Sequence, residues 1–231
     1  MLSISSLALA AIGGGAQAAC TSTAPASNTI VTCSGANTTG VIAPASTGVT
    51  LTIDPNGSII PPSGLAISLG GTANVTIGAG ADPTIDTSGQ AATTAYAIVI
   101  GDGSTMTIDG IIKGKGGISD ANLGTNLTGF ANSTITLNAG GKIITTGTAQ
   151  NFALNGRGGN NIYQIDGLID VTGASGQGIG VGNGDQITIG ATGSIITRAG
   201  DSSGAIAGSG KNNVKVTVAQ GGLVETHGSA Y

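Results

Sequence analysis

The sequence predicts an all-β protein, a right-handed parallel β-helix with three short strands per coil and about seven coils, preceded by a signal peptide. One phrase of aliphatic, Thr and aliphatic residues recurs at steps of 24 to 31 residues. Two further short phrases follow it in a fixed order. No amphipathic helical period of useful length follows the N-terminal segment. Recurrence with a period of 20–50 residues is typical of stacked repeat architectures.

The first phrase of each coil is the marker from which the repeat is counted. It occurs seven times, and the fifth copy is weaker because it reads Tyr-Gln-Ile. β-Branched residues and Thr favour strands, so each copy predicts a short strand. The copies are Leu51–Ile53, Val75–Ile77, Met106–Ile108, Ile135–Leu137, Tyr163–Ile165, Ile187–Ile189 and Val216–Val218.

The second and third phrases predict the other two strands of each coil. The second reads Gly-x-aliphatic-x-Thr, as in Gly141–Thr145, Gly193–Thr197 and Gly222–Thr226, with shorter relatives at 110–112 and 167–169. The third reads Ala-aliphatic-x-x-Gly, with Gly in place of Ala in one copy and one position fewer in another. Its copies are Ala97–Gly101, Gly178–Gly182 and Ala205–Gly208.

A physical reason connects this pattern to stacking. One coil cannot bury its aliphatic side chains, but coils stacked about 4.8 Å apart pair their backbones and build continuous aliphatic columns. Gly and Asn suit the corners, and Thr suits outward positions on a pleated strand. A β-sandwich is the competing fold, since it also uses short strands separated by frequent turns. It does not require the phrases to recur in fixed order, and it normally uses core aromatics.

The N-terminal residues 1–18 are predicted to be a signal peptide. The apolar run Leu2–Ile12 is followed by three Gly residues and by Ala16-Gln17-Ala18, a small-residue cleavage site, so the mature chain is expected to begin at Ala19. Lys and Arg are missing near Met1, which departs from the usual pattern. The run is too short to span a bilayer, and no transmembrane helix is expected in the mature chain.

Residues 19–48 are predicted to form an N-terminal cap region, and residues 49–231 the β-helix repeats. Cys20 and Cys33 are the chain's two cysteines, and in an exported protein such a pair is most simply a disulfide. The last phrase, 226–231, resembles 93–96, which leads into a third strand. The repeats are therefore expected to stop in mid-coil, as in a fragment of a longer polypeptide or a truncated gene.

The composition argues against several kinds of partner. The chain has 43 Gly, no Trp, 8% charged residues and a net charge of −4. Its seven Lys and Arg residues form no cluster apart from Lys113 and Lys115. Nucleic-acid binding needs a basic footprint, so nucleic acid is not an expected partner. A weakly charged surface rich in Thr and Asn suits contact with protein or with sugars.

These features together resemble the passenger domains of autotransporter (type V secreted) proteins, the pertactin-like and haemagglutinin-like β-helices. The resemblance lies in the leader, the scarcity of Cys and the repeated phrases over residues 30–231. It implies export through the periplasm to the bacterial cell surface or medium, and adhesion to an unknown protein or glycan or self-association. The C-terminal translocator barrel of that family is not found in this sequence.

A polysaccharide-processing β-helix enzyme of the pectin lyase kind is the alternative. Such chemistry needs carboxylates that converge on a substrate or on Ca²⁺. The position after each marker holds Asp54, Gly78, Asp109, Asn138, Asp166, Gly190 and Ala219, so no two carboxylates are stacked neighbours. The pairs Asp82 with Asp86 and Asp166 with Asp170 are local and are interpreted as turn residues.

The remaining candidates are also interpreted structurally. The loops Gly101–Gly103 and Gly182–Asp185 resemble Ca²⁺-binding nonapeptide repeats, but each is isolated and is expected to be a turn. His227 is the single histidine and is expected to be solvated. The longer segment Gly116–Asn132 is a candidate binding loop. We therefore predict no catalytic, cofactor or metal site, and a non-enzymatic structural or adhesive function.

Overall fold

The computed structural model describes residues 20–80, 84–91, 96–120, 129–148, 151–198, 204–208 and 210–227. The predicted signal peptide, 1–18, lies outside the described residues. The described secondary structure consists of 23 strands, numbered in chain order, and contains no helix. All strand pairs between them are parallel, so the predicted all-β stacked fold is confirmed.

Three parallel sheets run along the stack. Each of the first seven coils contributes one strand to each sheet, and the last described strands, one each, belong to sheets 1 and 2. Sheet 1 contains, in order, β1 (Ile30–Cys33), β4 (Thr50–Ile53), β7 (Asn74–Ile77), β10 (Thr105–Ile108), β13 (Thr134–Leu137), β16 (Ile162–Ile165), β19 (Gln186–Ile189) and β22 (Lys215–Val218). Sheet 2 contains β2 (Ala36–Asn37), β5 (Ser58–Ile59), β8 (Ile85–Asp86), β11 (Ile111–Gly114), β14 (Lys142–Thr145), β17 (Leu168–Val171), β20 (Ser194–Thr197) and β23 (Leu223–Thr226). Sheet 3 contains β3 (Val41–Ala43), β6 (Ile67–Leu69), β9 (Tyr96–Val99), β12 (Gly116–Ser119), β15 (Phe152–Gly156), β18 (Gln177–Val181) and β21 (Ile206–Ala207).

The three sequence phrases correspond to the three sheets. All seven marker copies lie in sheet 1, the Gly-x-aliphatic-x-Thr copies lie in sheet 2, and the third phrase lies in sheet 3. Sheet 1 has one more strand than the markers predict, because β1 pairs with β4 residue for residue. The range 19–48 therefore contains three strands, β1 to β3, that already belong to the stack.

The core is a tube of aliphatic columns between the sheets. Each sheet-1 strand points its second and fourth residues inward, and aligned residues stack from coil to coil. In one such column, six successive coils contribute a completely buried residue, namely Ile53, Ile77, Ile108, Leu137, Ile165 and Ile189. Burial of each side chain of this size contributes about 1.5–3 kcal/mol, which supplies the driving force that a single coil lacks.

Threonine side chains occupy both the outward and the inward faces of the strands. The Thr of the marker points outward, as predicted, and is half-buried in every copy except the last, where Thr217 is exposed. The Thr that closes the second phrase faces the core instead: Thr145 and Thr197 are buried, and their hydroxyls have no hydrogen-bond partner. The outward expectation is therefore wrong for these residues. The reason is the register of sheet 2, in which the aliphatic residue two positions earlier also points inward.

A column of buried polar side chains replaces aliphatic residues at the corner before sheet 1. The hydroxyl oxygen of Ser104 accepts a hydrogen bond from the backbone N–H of Ala73 (3.1 Å), and that of Ser133 accepts one from the N–H of Ser104 (3.1 Å). Asn161 Oδ1 accepts from the Ser133 N–H (3.0 Å), and Asp185 Oδ1 from the Asn161 N–H (2.8 Å). Each side chain thus satisfies a backbone donor of the preceding coil.

The two ends of the stack differ. At the N-terminal end, Cys20 and Cys33 form a disulfide with an S–S distance of 2.03 Å. The N–H of Thr21 donates to the Thr32 carbonyl (2.9 Å), so this segment covers the free edge of β1. At the other end, Val216 and Val218 are 45% and 48% exposed although they occupy core columns. No described residue covers that end.

Candidate functional surface

The outer surfaces of the three sheets have different chemistry. Sheet 1 presents two columns of outward residues, and all of them are exposed or half-buried, so no described element covers this sheet. Sheet 2 presents a mixed surface of charged and aliphatic side chains. The strands of sheet 3 are buried on both faces along most of their length. Sheets 1 and 2 are therefore the surfaces available to a partner along the length of the stack.

We call the sixteen outward positions of sheet 1 the threonine face. Its first column is Ile30, Thr50, Asn74, Thr105, Thr134, Ile162, Gln186 and Lys215. Its second column is Thr32, Thr52, Thr76, Thr107, Thr136, Gln164, Thr188 and Thr217. Three Thr in the first column and seven in the second make ten of the sixteen positions, so the face is regular in composition as well as in spacing.

The chemistry of the threonine face is neutral and mixed. A Thr side chain offers one hydroxyl donor, two acceptor lone pairs and a methyl group. Gln and Asn add amide donors and acceptors at Asn74, Gln164 and Gln186, and Ile30 and Ile162 add aliphatic surface that is 76% and 49% exposed. The face can therefore exchange hydrogen bonds and apolar contacts with the same partner. Lys215, at one end, is its single charged residue.

The outer surface of sheet 2 differs from the threonine face in its charge. Its outward positions carry two Lys and three acidic residues. These are Asp86, Lys113, Lys142, Asp170 and Glu225. A neutral partner has no electrostatic reason to prefer this surface over the threonine face.

Sequence reasoning missed a cluster on the outer side of sheet 3. Tyr96, Val99 and Phe152 form an apolar group there, separate from the core tube and nearly inaccessible to solvent. A Cβ at Gly116 would lie 2.7 Å from the Tyr96 ring, and one at Gly180 would lie 2.6 Å from the Phe152 ring, so each ring lies across a glycine of the next coil. The scarcity of aromatics is the sequence signal that could have found this cluster: the chain has only three Tyr and two Phe.

Polar groups surround these two rings. Asn155 Nδ2 donates to Ser119 Oγ (3.0 Å), and Ser119 Oγ donates to Asp120 Oδ1 (3.4 Å). The Arg157 guanidinium lies 5.6 Å from the centroid of the Phe152 ring. Burial raises the pKa of the Tyr96 hydroxyl, against the opposing effects of the Phe152 backbone and the Ser119 side chain. The arrangement packs a second small core outside the tube.

The carboxylates that follow the markers act as turn residues. Asn138 Nδ2 donates to Asp109 Oδ1 on the preceding coil (2.8 Å), and Gln164 Nε2 donates to Asp166 Oδ2 (2.8 Å). A Cβ at Gly190 would overlap the Asp166 carboxylate, so the next coil packs directly against it. Asp109 and Asp166 remain separated by the coil of Asn138 and do not converge.

The local carboxylate pairs are also held apart by separate partners. Asp170 accepts an ion-paired hydrogen bond from Arg198 Nε (2.6 Å), which raises the pKa of that guanidinium. Asp166, just after β16, instead accepts its hydrogen bond from Gln164 of sheet 1. Asp86 accepts from both the backbone N–H (2.7 Å) and the hydroxyl (2.6 Å) of Ser88, in a tight turn. Asp82 lies outside the described residues.

In the two loops that resemble Ca²⁺-binding repeats, the Asp carboxylates accept hydrogen bonds from backbone N–H groups. Asp102 Oδ1 accepts from the Ala131 N–H (2.8 Å), which ties one coil to the next. Asp185 is fully buried and also accepts from the Gly182 N–H (2.8 Å); burial raises the pKa of its carboxyl above the ordinary value, while these bonds oppose the rise. Among the described residues, no three His, Cys, Asp or Glu side chains come together as a metal site.

The other candidates lie apart from one another. His227 Nε2 is 2.9 Å from Glu225 Oε1, at the exposed end of the stack. Of the segment Gly116–Asn132, residues 116–120 and 129–132 follow the coil, and 121–128 lie outside the described residues. A groove of about 370 Å³ lies where the chain leaves the sheet-2 strands β2, β5 and β8, and it is lined by Thr38, Ile60, Pro61, Pro62, Asp86, Thr87, Gly89 and Gln90.

Comparison with protein-family models, with curated proteins and with solved structures found no match to this chain. None of its described residues forms a helix of the length and apolarity needed to cross a membrane. The chemistry of its surfaces is therefore what indicates the function of this chain.

Proposed function

We propose that this chain is a non-enzymatic, exported structural or adhesive module, the passenger portion of an autotransporter-type protein. The observation that carries the proposal is the uninterrupted stack of coils with one long, weakly charged face of Thr, Asn and Gln. Such a stack presents a large surface at a distance from its anchor point. Its backbone groups are paired from coil to coil, which protects the chain from proteolysis outside the cell.

The proposal predicts that the chain reaches the outside of a Gram-negative cell when a translocator is supplied. The full chain is fused at its C-terminus to an autotransporter barrel. We expect its leader to be cleaved, so that the mature fusion begins at Ala19. We also expect protease added to intact cells to digest the exposed chain. A matched fusion with Leu7→Arg and Leu9→Arg in the leader is expected to remain uncleaved and inaccessible. Retention of residues 1–18 in a fusion that stays inside the cell contradicts the proposal.

The alternative, a polysaccharide-processing enzyme, has its own test. We expect the full chain to release no reducing or unsaturated sugars from pectin-like polymers. Release of such products would favour the enzyme. The Asp86 turn beside the groove of about 370 Å³ is then the first carboxylate to replace.

A further inference from the structure

We propose that the threonine face binds a neutral polysaccharide that lies along the axis of the stack. The inference deepens the proposed adhesive function and rests on it, because it names the ligand class of the same module. It depends on three properties of the face: its charge, its period and the kind of side chain that it carries.

Charge selects a neutral partner. One of the sixteen positions of the threonine face is charged, Lys215, and it lies at the last strand. Polyanions such as nucleic acids and acidic glycans require a basic footprint, which this face lacks. The neighbouring surface of sheet 2 carries charges of both signs, so a neutral polymer is expected to prefer sheet 1.

The regular spacing of the threonine face favours a partner that is itself a polymer. Successive strands are about 4.8 Å apart, so the eight rungs of the face extend over roughly 34 Å. Within one strand the two columns are about 6.7 Å apart, twice the rise per residue. Each rung offers a weak contact. A partner that repeats along its own length can engage many rungs at once, and linked contacts of this kind increase the overall affinity without any strong single contact.

The side chains of the threonine face favour a sugar partner over a protein partner. Protein interfaces draw their affinity from buried aromatic residues, Met and Arg, and the threonine face holds none of these. Sugars instead present hydroxyl edges and C–H faces. The Thr hydroxyls and the Gln164 and Gln186 amides match the hydroxyl edges, and the Thr methyls and the half-exposed Ile162 match the C–H faces.

The first experiment measures retention of the full chain on insoluble neutral polymers: a β-1,4-glucan, chitin and granular starch, with polygalacturonate as the acidic comparison. We expect retention on at least one neutral polymer and none on polygalacturonate. The variant Thr107→Lys/Thr136→Lys places two charges in the centre of the face and should reduce retention about tenfold or more. The control Ile144→Lys/Ser194→Lys places two charges at half-buried outward positions of sheet 2 and should bind as the wild type does.

The second experiment uses soluble oligosaccharides of the retained polymer. Affinity should rise with oligomer length until the oligomer spans the face, because each added unit meets another rung. An affinity that does not depend on length, an equal loss in both double variants, or no retention on any neutral polymer overturns the inference. Self-association through the face, abolished by Thr107→Lys/Thr136→Lys, overturns it too. A chain that is displayed on cells and yet binds none of these polymers refutes this inference and leaves the proposed function standing.

Discussion

The glycine that opens the second phrase has a steric role. A Cβ at Gly193 would overlap the carbonyl oxygen of Ile165 on the preceding coil, and a Cβ at Gly141 would overlap that of Ile108. The chain turns into sheet 2 directly over the backbone of the coil below, where a side chain has no room. The recurrence of Gly in this phrase therefore reflects the stacking distance between coils.

This close approach predicts a position-dependent cost of Gly→Ala. Gly193→Ala should lower the free energy of unfolding by about 1–3 kcal/mol, because backbone must shift to admit the methyl group. Gly89→Ala is the control, since Gly89 is exposed, has open space where its Cβ would lie, and carries no positive φ. It should change stability by no more than about 1 kcal/mol. Urea unfolding monitored by circular dichroism measures both, and equal effects would contradict the steric argument.

Tyr163 shows how one residue can depart from the repeat without disturbing it. Its ring is fully buried in a column of otherwise aliphatic residues, and it contacts Phe130 at a tilted 52° with ring centroids 6.3 Å apart. A Cβ at Gly156 would overlap the Tyr163 hydroxyl, so this glycine provides the space for the phenol. Burial, with the nearby Asp185 charge, raises the pKa of Tyr163 well above its ordinary value.

At the scale of the strand, alternation and stacking act together. The sheet-1 strands β7, β10, β16 and β19 share one pattern of exposed, buried, half-buried and buried residues. Parallel pairing without a shift in register keeps the buried residues in columns, since a slip of one residue would move them all to the outer face. The contribution of a strand therefore depends on having neighbouring strands on both sides.

A matched pair of substitutions tests this dependence. Val75 and Val216 occupy the same inward column of sheet 1, but Val75 is completely buried and Val216 is 45% exposed at the end of the stack. Val75→Ala should lower the free energy of unfolding by about 1.5–3 kcal/mol, through lost burial and a residual cavity. Val216→Ala should lower it by less than about 1 kcal/mol. Chemical denaturation of the two variants under the same conditions gives the comparison, and a larger loss at Val216 would refute the role of stacking.

At the scale of the whole molecule, the stack is closed at one end. The segment that begins at Cys20 covers the free edges of β1 and β3, through the Thr21–Thr32 hydrogen bond and a second one from the Ile42 N–H to the Thr23 carbonyl (2.8 Å). The disulfide joins this segment to β1 across a sequence separation of 13. In stacked repeats each coil contacts only its neighbours, so local stability is expected to fall towards an uncovered end.

Amide hydrogen exchange should detect this difference in local stability between the two ends of the stack. We expect slow exchange in the central strands β10 to β17 and faster exchange in β22 and β23, each of which has one neighbour among the described strands. Reduction of the disulfide should speed exchange in β1 and β3 and leave β13 to β17 unchanged, because the effect of losing the cover is local. Uniform acceleration through the whole stack would show that the coils unfold as one cooperative unit instead.

The sequence was sufficient for most of the fold because the repeated phrases report directly on the strands. Marker, second phrase and third phrase each predicted one sheet, and the structure confirmed all three. The sequence did not predict that Thr145 and Thr197 face the core, because β-propensity does not indicate which side of a sheet a Thr occupies. It also missed the Tyr96 and Phe152 cluster, because the glycines that admit those rings are distant in sequence from them.

What the sequence determined by itself was the stacking of coils, since a period of aliphatic residues can be buried only by its own copies. What only the tertiary structure decided was how the outer surface is divided. The outward positions form a neutral face on sheet 1, a face of charged and aliphatic residues on sheet 2, and a covered face on sheet 3. The physical reason is that each face collects residues about one coil apart in sequence, so its charge and regularity exist only after the exact register between coils is established.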